Sequence, residues 1–169
     1  YNVFIDQMMF VHPDLNIENI YEEEEKQLIY LNDLKNFFIN LRNFDKKEIM
    51  FVFHPRANER YKKIIKKKIN LNFCKFSEWK KTDIFIKNSN FVICHTSSAT
   101  QLAILFFKPI IFLTHKIFSD YFKKYISGLS NEIGLKPINF EKNDFDLNKI
   151  KKLKKVNKKI YNKYIYNYI

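Results

Sequence analysis

Glycine is the residue that this sequence most conspicuously lacks, since only Gly128 and Gly134 occur among its 169 residues. A dinucleotide fingerprint of the GxGxxG type and a GxxxxGK(S/T) phosphate loop both need glycines at spacings that the chain does not contain. Both of these glycine-dependent phosphate sites are therefore excluded. A phosphate site in this protein has to be built from other residues.

Cysteine and long apolar runs are also scarce. The two cysteines, Cys74 and Cys94, form neither a CxxC pair nor a set with metal-ligand spacing, which excludes a disulfide framework and a zinc ribbon. No metal site is predicted. No apolar run approaches the ~18 residues that span a bilayer, and no signal-peptide pattern is present, so we expect a cytoplasmic protein. Because the first residue is Tyr1 and not Met, we also expect the chain to be a piece of a longer or processed protein.

The formal net charge of +12 is concentrated at one end of the chain. Eight lysines and no acidic residue lie in 147–169, so residues 1–146 carry a charge of only +4. Apolar residues in this tail recur at helical spacing and predict a basic amphipathic helix; they are Ile150, Leu153, Val156, Ile160, Tyr164 and Tyr168. Such a helix is suited to peripheral contact with an anionic membrane surface, or to packing on its own domain or on a missing one. No recognised RNA or DNA motif is present, so a nucleic-acid partner is not expected.

Apolar runs alternate with amphipathic stretches along the whole chain. The pattern predicts strands at residues 2–6, 48–53, 71–76, 91–94, 109–113 and 136–140, and helices at 17–44, 58–70, 81–88, 97–107, 119–133 and 147–168. Strands this apolar have no solvent-exposed face, which is typical of a parallel sheet covered by helices on both sides. We therefore predict one Rossmann-like α/β domain in residues 1–146, followed by the basic helix in 147–169.

All four histidines follow predicted strands. His12 lies a few residues beyond the first strand, while His54, His95 and His115 end the second, fourth and fifth strands. In a parallel sheet these positions meet at the carboxyl edge, where open α/β sheets bind ligands. A single histidine at a strand end is commonly structural, but the four together predict a site.

Two residues after the first strand are further candidates for lining this site. Asp6 can serve as a base or as a ribose ligand, although aspartates at strand ends also form turns. Gln7 follows it directly. The single tryptophan, Trp79, is interpreted as a packing residue.

Three consecutive hydroxyl residues, Thr96, Ser97 and Ser98, follow the fourth strand and His95, just before an apolar helix. Free N–H groups at a helix start attract anions, and hydroxyl groups add further donors. The segment, together with His95, therefore predicts a phosphate cradle without glycine. The alternative is simple N-capping, for which one hydroxyl suffices.

The second strand ends at His54-Pro55-Arg56, and we predict that all three residues belong to a nucleotide site. An imidazole can titrate near neutral pH, so His54 can give a proton to a leaving phosphate or hydrogen-bond a base or ribose. Arg56 can bind phosphate with two N–H groups, or can pair with Glu59 or Asp83 at the surface.

A strand ending in His-Pro, followed about forty residues later by a strand ending in a Ser/Thr-Ser pair, resembles the donor-binding half of bacterial GT-B glycosyltransferases. The likeness covers the chain up to about Thr114 and is strongest to sialyltransferase-like enzymes of capsular or lipooligosaccharide biosynthesis that use CMP-sugars. It implies that His54 is the general acid for the departing CMP, and that Ser97 and Ser98, with Thr96 beside them, bind the donor phosphate. It implies inverting transfer without a metal or other cofactor.

The same resemblance implies partners that this chain does not contain. They are a nucleotide-sugar donor, a glycan or lipid-linked acceptor, and an N-terminal acceptor domain that carries the general base, so that the chain alone would be inactive. Other interpretations stay open. The chain can be a non-catalytic, flavodoxin-like binding module in which the histidines are structural, or a relative of sugar-nucleotide 2-epimerases or of teichoic-acid-type glycerophosphotransferases.

Overall fold

Six short strands form one parallel sheet in the computed structural model, which describes residues 1–9, 24–141 and 146–169. The sheet order is β3-β2-β1-β4-β5-β6, and every neighbouring pair is parallel. The strands are β1 Asn2–Ile5, β2 Ile49–Val52, β3 Cys74–Ser77, β4 Val92–Cys94, β5 Ile110–Thr114 and β6 Ile138–Asn139. This arrangement confirms the predicted Rossmann-like α/β fold.

Helices alternate with the strands and cover both faces of the sheet. They are α1 Glu24–Asp45, α2 Glu59–Ile69, α3 Thr82–Lys87, α4 Ala99–Leu105, α5 Asp120–Glu132, α6 Leu147–Leu153 and α7 Lys158–Tyr168, with a 3₁₀ turn at Trp79–Lys81 before α3. One group packs α1 against α2 and α6, and a second group packs α4 against α3 and α7. The predicted helix at 17–44 corresponds to α1, and residues 10–23 lie outside the described part of the chain.

Capping side chains fix where two of these helices begin. Asn58 accepts a hydrogen bond from the Tyr61 N–H, and Ser119 accepts one from the Phe122 N–H. Each cap satisfies a backbone donor that has no partner within the helix. As a result, α2 begins at Glu59, shortly after the segment His54-Pro55-Arg56 that follows β2.

The core is unusually rich in phenylalanine. Phe4 in β1 lies against Phe38 of α1 and Phe51 of β2, with ring centroids 5.4 and 4.9 Å apart. All three rings are almost fully buried, and each contributes roughly 1.5–3 kcal/mol by leaving water. β1 and β2 are thus anchored against α1 on this face of the sheet, and their carboxyl ends provide a rigid support for a site.

The structure corrects the prediction of a single terminal helix over 147–168. The helix is interrupted between α6 and α7, because Asn157 caps α7 by accepting hydrogen bonds from Lys159 and Ile160. Tyr161 and Tyr164 are buried, and the Tyr161 hydroxyl donates to the Lys108 carbonyl at 3.1 Å. The aromatic face of α7 therefore packs on the domain, while all eight lysines of the tail are exposed. Within the described residues, no helix is both long and apolar enough to cross a membrane.

Candidate functional site

A cleft of about 390 Å³ opens at the carboxyl edge of the sheet. The chain leaves β1 toward β2 and β3 on one side, whereas β4, β5 and β6 lie on the other, so the edge between β1 and β4 is a topological switch point. Open α/β sheets bind ligands at such points. We call this site the edge cleft; its lining is Ile5, Asp6, Val52, Phe53, His54, Pro55, Trp79, Lys80, Thr82, Asp83, Ser97, Ser98, Ala99 and Leu102.

Five of the predicted site residues line the edge cleft: Asp6, His54, Pro55, Ser97 and Ser98. They come from three loops that are distant in sequence. The ring nitrogen Nδ1 of His54 accepts a hydrogen bond from the Arg56 N–H at 3.2 Å. A neutral His54 therefore carries its proton on Nε2, where it is a hydrogen-bond donor.

The two serines combine capping with unused donors. Ser97 Oγ accepts a hydrogen bond from the Ala99 N–H at 3.1 Å, as the N-capping alternative requires, and its own hydroxyl proton can still be donated. Ser98 is exposed and makes no side-chain cap bond. Neither the Ser97 nor the Ser98 backbone N–H has an acceptor among the residues that the structure describes. This segment can give several hydrogen bonds to an anion.

The backbone donors in the first part of the same loop are already hydrogen-bonded to Gln7. Its Oε1 accepts hydrogen bonds from the backbone N–H groups of His95 and Thr96, both at 2.7 Å, and its Nε2 donates to Thr96 Oγ1 at 2.9 Å. Thr96 is buried and does not line the cleft. The predicted cradle is therefore narrower than the sequence suggests, and consists of Ser97 and Ser98.

Asp6 lies at the floor of the cleft and is only 3% exposed. Its Oδ1 accepts hydrogen bonds from the Met8 N–H and the Tyr61 hydroxyl, both at 2.9 Å, while Oδ2 lies 3.5 Å from the His54 N–H. Burial raises the pKa of Asp6 to about 6, although these hydrogen bonds favour the charged form. Asp6 thus connects β1, β2 and α2, and its charge changes close to neutral pH.

His95 does not have the phosphate-binding position predicted for it. Its ring is fully buried; Nδ1 donates to the Leu113 carbonyl at 2.9 Å, and Nε2 accepts from the Tyr30 hydroxyl at 2.8 Å. Burial lowers the pKa of His95 to about 4, so the ring is neutral at physiological pH. With both nitrogens hydrogen-bonded inside the core, the side chain offers nothing to a ligand in this structure.

His115 is also placed in the core and not in the cleft. Its Nδ1 accepts a hydrogen bond from the Ile117 N–H, and Nε2 lies 3.0 Å from Asp33 Oδ2 on α1. The ring packs on Phe118 and Phe140. This corrects the expectation that His115 lines the site, because a histidine at a strand end can turn inward as well as outward.

Two further predicted residues are not found in the lining. Arg56 is exposed, and its side chain does not line the edge cleft. His12 falls outside the described residues.

Sequence reasoning missed one wall of the cleft, which the segment 79–83 supplies. The Trp79 side chain is 46% exposed and lines the cleft together with Lys80, Thr82 and Asp83. An exposed indole is a flat apolar surface on which a planar ring can stack. The available signal was a single tryptophan followed directly by two lysines after a strand, which also fits a packing residue.

Other chemistries find little support in the described part of the chain. It contains no cluster of three or more His, Cys, Asp or Glu side chains that could hold a metal ion. Burial raises the pKa of both cysteine thiols to about 12, so neither is a nucleophile near neutral pH.

Comparison with known proteins shows the fold without assigning a family. No family model matches the sequence, and no curated protein matches it. A candidate UDP-N-acetylglucosamine 2-epimerase from Listeria monocytogenes superposes with a TM-score of 0.50 at 14% identity over 96% of this chain. The structure of S. aureus MnaA with UDP superposes with a TM-score of 0.48 at 16% identity over 99% of this chain.

This chain spans 37% and 46% of the lengths of those two proteins. The Listeria protein is described as a 2-epimerase and not as a sialyltransferase, so the narrower resemblance inferred from the sequence gains no support from it. The likeness to the Listeria protein shows that the two chains share a Rossmann-like fold.

Proposed function

We propose that this chain is the sugar-nucleotide-binding half of a GT-B-like enzyme and that the nucleotide binds in the edge cleft. The observation that carries the proposal is the convergence of His54, Trp79, Ser97 and Ser98 on one cleft at the switch point of the sheet. The cleft volume of about 390 Å³ is in the range of small-ligand sites.

The cleft offers groups that suit the phosphate and the base of a nucleotide. The hydroxyls of Ser97 and Ser98 suit the phosphate oxygens, as do their backbone N–H groups, which have no acceptor in the described part of the chain. The Lys80 ammonium group adds positive charge. The exposed indole of Trp79 suits a planar base. Cleavage of a sugar–phosphate bond leaves charge on a phosphate oxygen, which a hydrogen-bond donor such as His54 Nε2–H can stabilise.

Of the enzyme classes that the sequence left open, we favour a relative of sugar-nucleotide epimerases that acts on a UDP-sugar. The structural likeness to a candidate UDP-N-acetylglucosamine 2-epimerase supports the shared fold. The second candidate is an inverting glycosyltransferase that uses a CMP-sugar. It is favoured by the joint presence of His54-Pro55 and the Ser97-Ser98 pair in the same cleft. In either case, a second domain would complete the active site, and acceptor or membrane contacts would belong to the whole protein.

Calorimetric titration of the chain with UDP, CMP, GDP and their sugar conjugates tests the proposal. We expect one saturable site that prefers a pyrimidine nucleotide; preference for UDP favours the epimerase relative, and preference for CMP favours the glycosyltransferase. Ser97→Ala with Ser98→Ala should weaken binding, whereas Ser127→Ala, on α5 and outside the cleft lining, is the matched control. No binding of any nucleotide, or binding unaffected by the double substitution, would refute the site.

A further inference from the structure

Gln7 joins two neighbouring strands at the point where their backbone pairing ends. The β1–β4 ladder pairs Val3 with Val92 and Phe4 with Ile93. Continuing that register places Gln7 opposite Thr96, three residues beyond the last pair. There the side-chain amide of Gln7 makes three hydrogen bonds to the loop, all between 2.7 and 2.9 Å. The side-chain amide of Gln7 thus links the two segments by hydrogen bonds beyond the point where the backbone pairing of β1 and β4 ends.

The hydrogen-bonding pattern requires a side chain that carries both an acceptor and a donor, as the amide of glutamine does. One amide oxygen accepts two backbone N–H groups, which uses both of its lone pairs, and the amide nitrogen donates to the Thr96 hydroxyl oxygen. Glutamate would keep the acceptor but lose the donor and add a negative charge. Methionine has a similar length and would lose all three bonds.

This arrangement decides which loop donors are left for a ligand. The N–H groups of His95 and Thr96 are held by Gln7, whereas those of Ser97 and Ser98 have no acceptor among the described residues. The loop is therefore fixed with its next two residues facing the cleft that also contains His54.

We propose that Gln7 is a positioning residue for the nucleotide phosphate: its amide fixes the loop after β4 so that Ser97 and Ser98, and not the preceding N–H groups, bind the phosphate. The inference rests on the proposed nucleotide site. Gln7 acts through the loop, because its own side chain does not line the cleft.

The test separates phosphate binding from base binding. Gln7→Met is compared with wild type and with Gln101→Met, a matched control on the exposed face of α4. UDP and CMP are titrated by calorimetry, and uridine and cytidine by NMR of the single indole N–H. We expect Gln7→Met to weaken nucleotide binding at least about tenfold, because the loop loses the hydrogen bonds that hold it in place. One or two hydrogen bonds correspond to a change in affinity of about this size. Nucleoside affinity should change less than about twofold, and Gln101→Met should behave like wild type.

Two more variants keep the test decisive if Gln7→Met fails to fold. Gln7→Glu keeps the acceptor for both backbone N–H groups, and Thr96→Val removes only the bond from the Gln7 amide nitrogen. Both substitutions should lower the affinity for nucleotides more than the affinity for nucleosides. The effect should be larger in Gln7→Glu, because the added negative charge repels the phosphate. Equal losses of affinity for nucleotides and nucleosides, or unchanged nucleotide binding in these variants, would overturn the proposed role of Gln7 but not the nucleotide site itself. A wild-type chain that binds no nucleotide would overturn the proposed function and this inference with it.

Discussion

Replacing Asp6 with Asn should stabilise the protein at alkaline pH, and this advantage should shrink as the pH falls. Asp6 is buried, and its pKa is raised from 3.8 to about 6. The folded state therefore holds the proton more tightly than the unfolded state. The corresponding stability is fully present below pH 3.8 and is lost as the pH rises through about 6. At 1.36 kcal/mol per pKa unit, the ionised carboxylate costs about 3 kcal/mol at pH 8.

The measurement is urea unfolding of wild type and Asp6→Asn at pH 4.5 and pH 8. Linkage between the two pKa values predicts that the stability difference between the proteins grows by about 2 kcal/mol over this interval. The Asn amide also disturbs the contact with the His54 N–H, but that cost is the same at both pH values. Groups such as His95 titrate in both proteins and cancel. Asp83→Asn, an exposed carboxylate on the same cleft, is the matched control. A difference that does not change with pH would show that the pKa of Asp6 is not raised in the folded protein.

Three further predictions concern the surrounding fold. Tyr30→Phe removes the hydrogen bond that His95 Nε2 accepts from the Tyr30 hydroxyl and should cost about 1–3 kcal/mol in urea unfolding, whereas an unchanged stability would mean that Nε2 finds another donor. Gly134→Ala should destabilise by about 1–2 kcal/mol, because φ is +69° and the new Cβ would lie 2.8 Å from Ile160 Cδ1. Gly128→Ala, in α5 with open space around it, should instead stabilise by about 0.5–1 kcal/mol, so thermal melts of the two variants must shift in opposite directions.

The elements that depend on local sequence could be predicted. Apolar runs located all six strands, and the caps Asn58 and Ser119 lie where the helix starts were expected. The break before α7 was missed because the apolar spacing continues across it, and only the capping bonds of Asn157 reveal it. A local pattern does not show whether a helix is continuous through such a residue.

The candidate site was predictable only in part, since strand-end position does not determine the direction of a side chain. His54 faces the cleft, whereas His95 and His115 turn into an aromatic part of the core. The hydrogen bonds of Gln7 to the backbone of His95 and Thr96 join residues that are 88 and 89 positions apart in the sequence. The position of Trp79 in the cleft depends on how the segment after β3 folds over the edge of the sheet. Both are long-range consequences of the sheet order, which the alternating pattern alone does not give.

The fluorescence of Trp79 reports on whether a nucleotide binds in the edge cleft. Trp79 is the single tryptophan of the chain and lines the cleft, so its emission reports on this site without a label. Titration with UDP or CMP should change the emission saturably, and the change should be lost in the Ser97→Ala, Ser98→Ala double variant. Emission that stays constant through the titration, or that responds equally in the double variant, would show that the nucleotide does not bind in the edge cleft through Ser97 and Ser98.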